Sequence, residues 1–306
     1  MFGACLGVDL QEKKGARVVL VLFASGRQGG AVVEALLKAG PDVYEVWGTT
    51  RYPRNKRALE AQGVKVVQGD AADPVFLRAA LKKTGAEVLF FHTLPGMEEL
   101  QQGKAVVEVT KAAGTLKHVV YSSHADGASL APRVQHVRMK RGVEELLQQS
   151  RPDGSWTILR PVMFIEHVFR SELRRGLLSP RYRVQTLASP TTAVKFCAVR
   201  DVGRAAEAAI SNPAAWSSKK VVCVSFVATG AEIAAAMSAV TGSVYYYSQV
   251  NVGVLRCCVE PQARAMLEYL ESGACTADPA RFLAIVPSPT TLEESIRSRK
   301  DYRPSE

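Results

Sequence analysis

The chain has 306 residues and a mass of 33.1 kDa, with 47% hydrophobic and 22% charged residues and a mean hydropathy of zero. This composition is typical of a globular protein of about two domains, and it excludes disordered, collagen-like and coiled-coil chains. Lysine and arginine number 39 against 29 acidic residues. The resulting net charge of +10 indicates an anionic partner, such as a nucleotide phosphate.

Several functional classes lack their sequence signals. The longest apolar run, residues 18–24, is far shorter than the roughly 18 residues of a membrane span. The six cysteines form no CxxC pair and no ligand spacing with the five histidines, so we expect reduced thiols and no metal. No base-reading motif predicts direct nucleic-acid binding. We expect a soluble, cytoplasmic protein without a signal peptide.

The first half of the chain alternates between apolar runs and amphipathic segments. β-branched runs predict strands over residues 18–23, 43–50, 64–68, 87–92, 117–122 and 155–160. Helical spacing of apolar residues predicts intervening helices over residues 28–39, 54–62, 74–83, about 97–113 and around 139–147. This order predicts right-handed βαβ units in an α/β, doubly wound parallel sheet of the Rossmann type.

The pattern changes after residue 160. Strands are predicted over 193–197 and 221–226 and at Tyr245–Tyr247, helices over 202–210 and 231–240, and a mostly helical remainder. We therefore divide the chain into an N-terminal extension (1–16), a dinucleotide-binding domain (17–160) and a smaller α/β lobe (161–306), some segments of which return to the first sheet. The cleft between the lobes is the expected ligand site.

A glycine-rich turn follows the first predicted strand. Phe23, Gly26 and Gly29 occupy the three positions of a GxxGxxG pattern, in which backbone N–H groups approach a pyrophosphate at a helix N-terminus. Phe23 stands where glycine normally gives room, and phenylalanine cannot adopt a positive φ without strain. The turn therefore predicts a pyrophosphate site, or alternatively a plain strand–helix turn that no longer admits a dinucleotide.

The second predicted strand ends in basic residues. Arg51 follows it directly, with Arg54, Lys56 and Arg57 close behind. A carboxylate here would bind the ribose hydroxyls of NAD(H), whereas arginine suits the 2′-phosphate of NADP(H). We predict that the chain prefers NADP(H), with NAD(H) as a second possible cofactor. The alternative is that these basic residues are only the exposed start of a helix. Asp70 either lies beside adenine or caps the next helix.

Eight segments in order resemble the NmrA-like family, whose members are atypical relatives of the short-chain dehydrogenases and reductases. They are ASGRQGG, TTRYPRNKR, VVQGDAAD, QQGKAVVEVTKAAG, HVVYSS, KRGVEELL, ILRPVMFIEH and AVRDVG. The resemblance is clear from about residue 17 to 210 and weak beyond. Many members of the family bind NADP(H) or NAD without turning it over and act as redox-responsive regulators.

The resemblance implies a cofactor site on five segments of this chain and on Lys140. For the pyrophosphate it implies Phe23, Ala24, Ser25, Gly26, Arg27 and Gln28. For the 2′-phosphate it implies Arg51, Tyr52, Pro53, Arg54 and Asn55. For adenine it implies Asp70 and Ala71; for the nicotinamide-side ribose, Thr93, Leu94 and Lys140; and for the nicotinamide end, Phe164, Ile165, Glu166 and His167.

The candidate catalytic residues are Ser123, His136 and Lys140. Active relatives in the wider superfamily hold the substrate carbonyl with serine and exchange a proton through Tyr-x-x-x-Lys. Here His136 replaces the tyrosine. A nearby lysine ammonium favours neutral imidazole, which is a poor proton donor. Lys140 can retain its role at the ribose although acid catalysis is lost.

The leading prediction is a redox sensor that binds NADP(H) without dehydrogenase activity and modulates a protein partner, as a monomer or homodimer. The resemblance adds the nucleus to the cytoplasm as an expected location. One alternative is an NADPH-dependent reductase of quinones or small carbonyls, in which Lys140 orients the cofactor, and water, His136 or Tyr121 supplies the proton. The other is a cofactor-free interaction scaffold. The arginine cluster over 170–183 is either a docking surface for an acidic partner or a solvated loop.

Overall fold

The computed structural model describes residues 15–94, 96, 98–125, 133–171, 182–186, 188–249, 261–272 and 275–298. Strands and helices alternate through the first half, as predicted. In chain order they are β1 (Arg17–Val21), α1 (Arg27–Ala39), β2 (Tyr44–Thr50), α2 (Pro53–Glu60), β3 (Lys65–Gln68), α3 (Pro74–Thr84), β4 (Val88–His92), α4 (Glu99–Lys111), β5 (His118–Ser122), α5 (Gln135–Ser150) and β6 (Trp156–Pro161).

These strands form one parallel sheet with a seventh strand, β10 (Lys219–Cys223), in the order β10-β6-β5-β4-β1-β2-β3. The predicted doubly wound fold is confirmed. The chain reverses its direction of winding between β1 and β4, so their carboxyl ends open a crevice where ligands bind in such folds.

The two faces of the sheet are covered by different helices because side chains alternate along each strand. In β1, Val19 and Val21 pack with α1 and with α7 (Val199–Ser211), whereas Leu20 packs with α3, α4 and α5. Gly203 permits the close approach of α7 to α1, since a Cβ there would lie 2.3 Å from the Ala31 carbonyl oxygen. Both faces are therefore buried, as the continuous apolar strands predict.

The remaining elements form two smaller sheets with their helices. One sheet has the order β11-β9-β7, and the other pairs β12 with β8. The elements are β7 (Met163–Phe164), α6 (Ile165–Ser171), β8 (Tyr182–Thr186), β9 (Val194–Cys197), α8 (Pro213–Trp216), β11 (Phe226–Ala228), α9 (Gly230–Thr241), β12 (Tyr245–Gln249), α10 (Pro261–Glu271), α11 (Pro279–Leu283) and α12 (Leu292–Arg297).

The single strand predicted over 221–226 is wrong. The chain leaves the large sheet after Cys223, which pairs with Pro161, and joins the small sheet at Phe226, which pairs antiparallel with Phe196. Ser225 makes this crossing possible, because its backbone N–H donates to the Phe196 carbonyl and its hydroxyl to buried Asp201. An apolar run gives no sign of a change of sheet.

Some predictions lie outside the described residues, among them residues 1–14 and Arg174, Arg175 and Arg181. Arg170 lies in α6, just before the segment that contains these three arginines, and the described Arg183 is exposed. The division of the chain at residue 160 stays a prediction. Over the residues described, none of the helices is both long and apolar enough to span a bilayer.

Candidate functional site

The turn between β1 and α1 adopts the tight geometry that its glycine pattern predicts. Phe23 takes a φ of +53°, the left-handed conformation that glycine normally supplies at this position. A Cβ on Gly29 would lie 2.3 Å from the Phe23 carbonyl oxygen, so only glycine fits there. The Phe23 N–H donates to Thr49 Oγ1 at 3.0 Å and fixes the turn against β2. The turn is formed at the cost of backbone strain.

The helix that follows this turn presents a free N-terminus. Gly26 is the N-cap of α1, no side chain caps it, and the first turn contains no acidic residue. Its uncapped N–H groups and positive dipole end are suited to an anion. The Phe23 ring packs against the core on the α3 to α5 face, with its centroid 5.3 Å from that of His92. This geometry fits the predicted pyrophosphate role.

Residues predicted for the adenosine end meet at the carboxyl ends of β2 and β3. Ser25 Oγ lies 3.2 Å from Thr50 Oγ1 and accepts from Asn55 Nδ2 at 3.3 Å. Arg51 Nη1 lies 3.5 Å from Asp70 Oδ2, and both side chains are about half exposed. Two basic residues that follow on α2, Arg54 and Arg57, are also exposed. The alternative role of Asp70 as a cap of α3 is wrong because Asp73 caps that helix, accepting from the Val75 N–H at 2.8 Å.

A buried polar cluster lies beside the crevice, and Glu99 is its centre. The Glu99 side chain is fully buried at the start of α4, although no motif in the sequence points to it. Thr93 Oγ1 donates to Glu99 Oε1 at 2.6 Å, and Lys140 Nζ lies 3.3 Å from the same oxygen. His136 Nδ1 lies 2.5 Å from Glu99 Oε2. Lys140 also donates to Thr93 Oγ1 at 3.1 Å.

This arrangement sets the charges of the cluster. Burial raises the pKa of Glu99, but the hydrogen bond from His136, the charge of Lys140 and the Thr93 hydroxyl outweigh it, and the pKa falls below its usual value. Burial lowers the pKa of Lys140, and Glu99 opposes that effect. The spacing HxxxK alone places His136 next to Lys140. The structure places a carboxylate between the two.

A cavity of about 640 Å³ extends from this cluster towards the C-terminal elements. Its polar end is formed by residues that follow β4 and β5 and by α5, and its other walls are mainly apolar. The lining comprises Gln28, His92, Thr93, Ser123, His124, Ala125, His136, Lys140, Pro161, Val162, Met163, Phe164, His167, Ala193, Val194, Lys195, Val227, Met266, Tyr269, Leu270 and Cys275. This volume accommodates a drug-sized ligand.

The predicted catalytic residues all line this cavity, whereas some residues predicted near nicotinamide do not. Ile165 is fully buried in the core of the smaller sheets. Glu166 Oε1 accepts from the Val199 N–H at 2.9 Å, and burial raises its pKa. Leu94 lies at a neighbouring surface depression, where its N–H donates to Gln102 Oε1 at 2.8 Å.

Tyr121, the other proton donor considered, does not line the cavity. Its ring is buried and stacks on Phe91 with a centroid distance of 4.6 Å, and its hydroxyl lies 3.3 Å from Thr93 Oγ1. Burial raises its pKa well above the usual value. His136 is therefore the better placed of the two for proton exchange with a molecule in the cavity.

The cavity wall contains two further histidines that sequence reasoning missed. Burial lowers the pKa of His92 and of His124 to about 4, so both are neutral near pH 7. Among the described residues, neither His92 Nε2 nor His124 Nδ1 has a hydrogen-bond partner. The only sequence signal for these residues is their position directly after or at the end of a predicted strand, where parallel sheets carry their sites.

Comparison with known proteins identifies the family of this chain. The sequence profile of the NmrA-like family matches residues 15–292. The chain is 27% identical to an NAD(P)H azoreductase of Xenophilus azovorans over 77% of this chain and 78% of the relative. It is 36% identical to the NmrA-like family domain-containing oxidoreductase notA of Aspergillus sp. (strain MF297-2), but over only 37% of this chain and 35% of that relative. The chain thus matches about a third of that relative's length.

Solved structures share the fold. The NADPH-dependent quinone oxidoreductase of Escherichia coli, complexed with NADPH, aligns with a TM-score of 0.72 and 21% identity over 92% of this chain and 98% of that one. NmrA, a negative transcriptional regulator in complex with NAD, aligns with a TM-score of 0.73 and 19% identity over 93% and 95% of the two chains. An enzyme and a regulator therefore have the same architecture as this chain.

Proposed function

Because the chain belongs to the NmrA-like family, we propose that it binds NADP(H) and reduces flat, apolar acceptors of the quinone type. The observation that carries the proposal is the cavity of about 640 Å³, whose mainly apolar walls end at the cluster of His136, Glu99 and Lys140. A scaffold without a small-molecule ligand has no need for such a cavity. Its polar end is the place where a proton is required.

The residues at the crevice fit a dinucleotide. The uncapped N-terminus of α1 suits the pyrophosphate, and exposed Arg51 with Asn55 and Ser25 suits a 2′-phosphate. Lys140 and Thr93, held together by Glu99, suit the hydroxyls of the nicotinamide-side ribose. When bound, NADPH supplies a hydride to the acceptor.

His136 has the geometry of a proton donor to the reduced acceptor. The Glu99 carboxylate only accepts hydrogen bonds, so Nδ1 of His136 carries a hydrogen and Nε2 is the nitrogen that exchanges a proton. Reduction of a quinone to a hydroquinone takes up one hydride and one proton, and the Nε2–H of protonated His136 would supply that proton. His136 is about one-third exposed, so solvent can return its proton.

A regulatory role is the second candidate, and His136 is the observation that favours it, since the usual catalytic tyrosine is absent. In that case NADP(H) would alter the affinity for a protein partner without being consumed. This candidate function includes a protein partner, an oligomeric state of one or two chains, and residence in the cytoplasm or nucleus.

Calorimetric titration with NADPH, NADP⁺ and NADH tests the binding site. We expect Arg51→Ala to weaken NADPH binding about tenfold or more, because a charge-assisted bond to the 2′-phosphate is lost, while NADH binding changes little. Arg78→Ala, an exposed arginine on α3 outside the predicted site, is the matched control. Absence of binding by any dinucleotide to the folded protein would contradict both dinucleotide-binding candidates.

Oxidation of NADPH in the presence of 1,4-naphthoquinone then separates the two candidates. We expect turnover by the wild type and a loss of about 100-fold with His136→Phe, since general acid catalysis contributes on the order of 100-fold or more. Tight NADPH binding with no oxidation by any quinone tested would contradict the reductase and leave the sensor.

A further inference from the structure

His92 occupies a special place in the fold. It is the last residue of β4, at the carboxyl edge of the sheet beside β1, and it pairs in register with Ser122 of β5. It is only 7% exposed, yet it lines the cavity. The Phe23 ring lies against it, with the centroids 5.3 Å apart. The proton transfer proposed for His136 does not involve this buried imidazole.

The contacts of His92 define its tautomer. Nδ1 lies 3.2 Å from the Thr93 carbonyl oxygen, and because a carbonyl only accepts, Nδ1 carries the hydrogen. Burial and the charge of Lys140 lower the pKa of His92 to about 4, whereas the Thr93 carbonyl and Glu99 act in the opposite sense. The ring is therefore neutral near pH 7, and Nε2 is a lone-pair acceptor.

This acceptor is buried without a partner. Within the part of the chain that the structure describes, Nε2 of His92 makes no hydrogen bond although it is shielded from solvent. Such an atom destabilises the ligand-free protein, and buried polar atoms in native proteins are nearly always satisfied. A molecule in the cavity can supply the missing donor. A cationic donor is disfavoured because Lys140 lies nearby, and an anion would meet the lone pair.

We propose that His92 Nε2 accepts a hydrogen bond from a neutral N–H or O–H group of a molecule bound in the cavity, and that this bond selects the ligand. The inference rests on the proposed function. Two ligands offer this chemistry: the primary carboxamide of the nicotinamide ring and an amino or hydroxyl group on the acceptor. Both are tested with the same variants.

The tautomer is tested first, without any ligand. In protein with ¹⁵N-labelled histidine, we expect the His92 signals of the Nδ1–H tautomer, unchanged between pH 8 and 6. Addition of NADP⁺ or of 2-amino-1,4-naphthoquinone, whichever supplies the donor, then shifts the Nε2 resonance in the direction of hydrogen bonding. An Nε2–H tautomer in the free protein would overturn the inference, because Nε2 would then be a donor.

The cofactor arm compares NADP⁺ with its 3-acetylpyridine analogue, in which a methyl group replaces the carboxamide NH₂. If the carboxamide is the donor, the wild type binds NADP⁺ about tenfold more tightly than the analogue. His92→Phe removes that preference, and His92→Gln, which keeps an acceptor, retains part of it. This comparison of ratios is a double-mutant cycle, so a general loss of affinity in a variant does not affect it.

The acceptor arm compares 2-amino- with 2-methyl-1,4-naphthoquinone, which are nearly equal in size, by tryptophan fluorescence of nucleotide-free protein. If the amino group of the quinone donates the hydrogen bond to His92, the wild type binds the amino compound about tenfold more tightly than the methyl compound. The His92→Phe variant shows no such preference. The inference is overturned if, in both arms, the ratio of the two ligand affinities is the same in wild type and His92→Phe. It is also overturned if no ligand binds in either arm. Failure of NADP⁺ alone to bind would overturn the proposed function, while the acceptor arm still decides the role of His92.

Discussion

Asp201 and Glu99 are both fully buried acidic residues in the first turn of a helix, but their surroundings differ. Asp201 accepts from the Ser225 hydroxyl at 2.6 Å, from the N–H and hydroxyl of Thr290 at 2.8 Å each, and from Arg204 at 3.0 Å. Glu99 is instead bound by two titratable groups, Lys140 and His136, besides Thr93.

The atoms around the two carboxylates show the same contrast. The Asp201 cluster joins α7 to the crossing before β11 and to the loop before α12, and donors from within the protein bond to both Asp201 oxygens. Beside the Glu99 cluster, His92 and His124 each keep a buried nitrogen without a partner among the described residues. A saturated cluster stabilises the fold, whereas an unsaturated one beside a cavity indicates a ligand site.

Removing the Asp201 carboxylate is the strongest test of the structural side of this contrast. We expect Asp201→Asn to lower the free energy of unfolding by about 3–5 kcal/mol, because an amide nitrogen would face donors and Arg204 would lose its counter-charge. Urea unfolding measures the change. Asp278→Asn, at the exposed N-cap of α11, is the control and keeps most of the stability. A loss below about 1 kcal/mol for Asp201→Asn would show that this cluster is not saturated in solution.

His118 is a histidine whose ring is bonded within the protein, and it gives a pH test. Its Nε2 donates to Thr157 Oγ1 at 2.8 Å, since the Thr157 hydroxyl itself donates to Trp216. Burial lowers the pKa of His118 from 6.5 to about 4, so the unfolded chain binds one more proton between these values and stability falls as pH falls.

We expect His118→Gln to remove up to about 3 kcal/mol of the acid-induced loss between pH 6.5 and 4, in urea unfolding at a series of pH values. His92 and His124 contribute the same sign of slope, so the variant keeps the remainder. If the slope is unchanged in His118→Gln, the histidine is already protonated in the folded protein or stays neutral in the unfolded one.

Glu99→Gln tests the functional side. We expect a smaller cost than for Asp201, about 2 kcal/mol, because buried Lys140 has a lowered pKa and can release its proton when its partner is removed. Quinone reduction should fall at the same time, since His136 loses its positioning residue. Glu98→Gln, the exposed neighbour, is the matched control for both measurements. Unchanged reduction in Glu99→Gln would separate the cluster from the reaction.

The smallest expected effect concerns Phe23. Glycine usually destabilises a position relative to alanine, but here the φ of +53° reverses the order. We expect Phe23→Gly to be about 1 kcal/mol more stable than Phe23→Ala in urea unfolding, because both lose the contact with His92 and only glycine relieves the strain. The usual order, with alanine more stable, would mean that the turn relaxes once the ring is gone.

The sequence is informative where a local pattern and the fold agree. Apolar runs at β1, β4 and β5, with helical spacing between them, predict the central sheet correctly, and the turn from Phe23 to Gly29 predicts its strained geometry. The strand predicted over 221–226 fails because the apolar pattern is the same on both sides of the crossing at Ser225. Local periodicity does not record which sheet a strand joins.

The candidate site is less accessible to sequence reasoning. Thr93, Ser123, His136 and Lys140 are predicted through the family resemblance, and all four line the cavity. Glu99 lies 37 residues from His136, and an acidic residue in the first turn of a helix has an ordinary explanation in the helix dipole. His92 ends an apolar run, and its position at the end of a strand is its only sequence signal of function. Their roles arise only from tertiary neighbours.

The position of β10 affects how this protein is made. Its residues, Lys219–Cys223, complete the large sheet at the side of β6, whose own last residue precedes β10 by more than 50 positions. A nascent chain that has already folded β1 to β6 therefore exposes β6 as an unpaired edge until β10 leaves the ribosome. At about 5–20 residues per second this interval lasts several seconds. Exposed parallel edges are templates for wrong pairing, so chaperone dependence during synthesis should be concentrated in this interval.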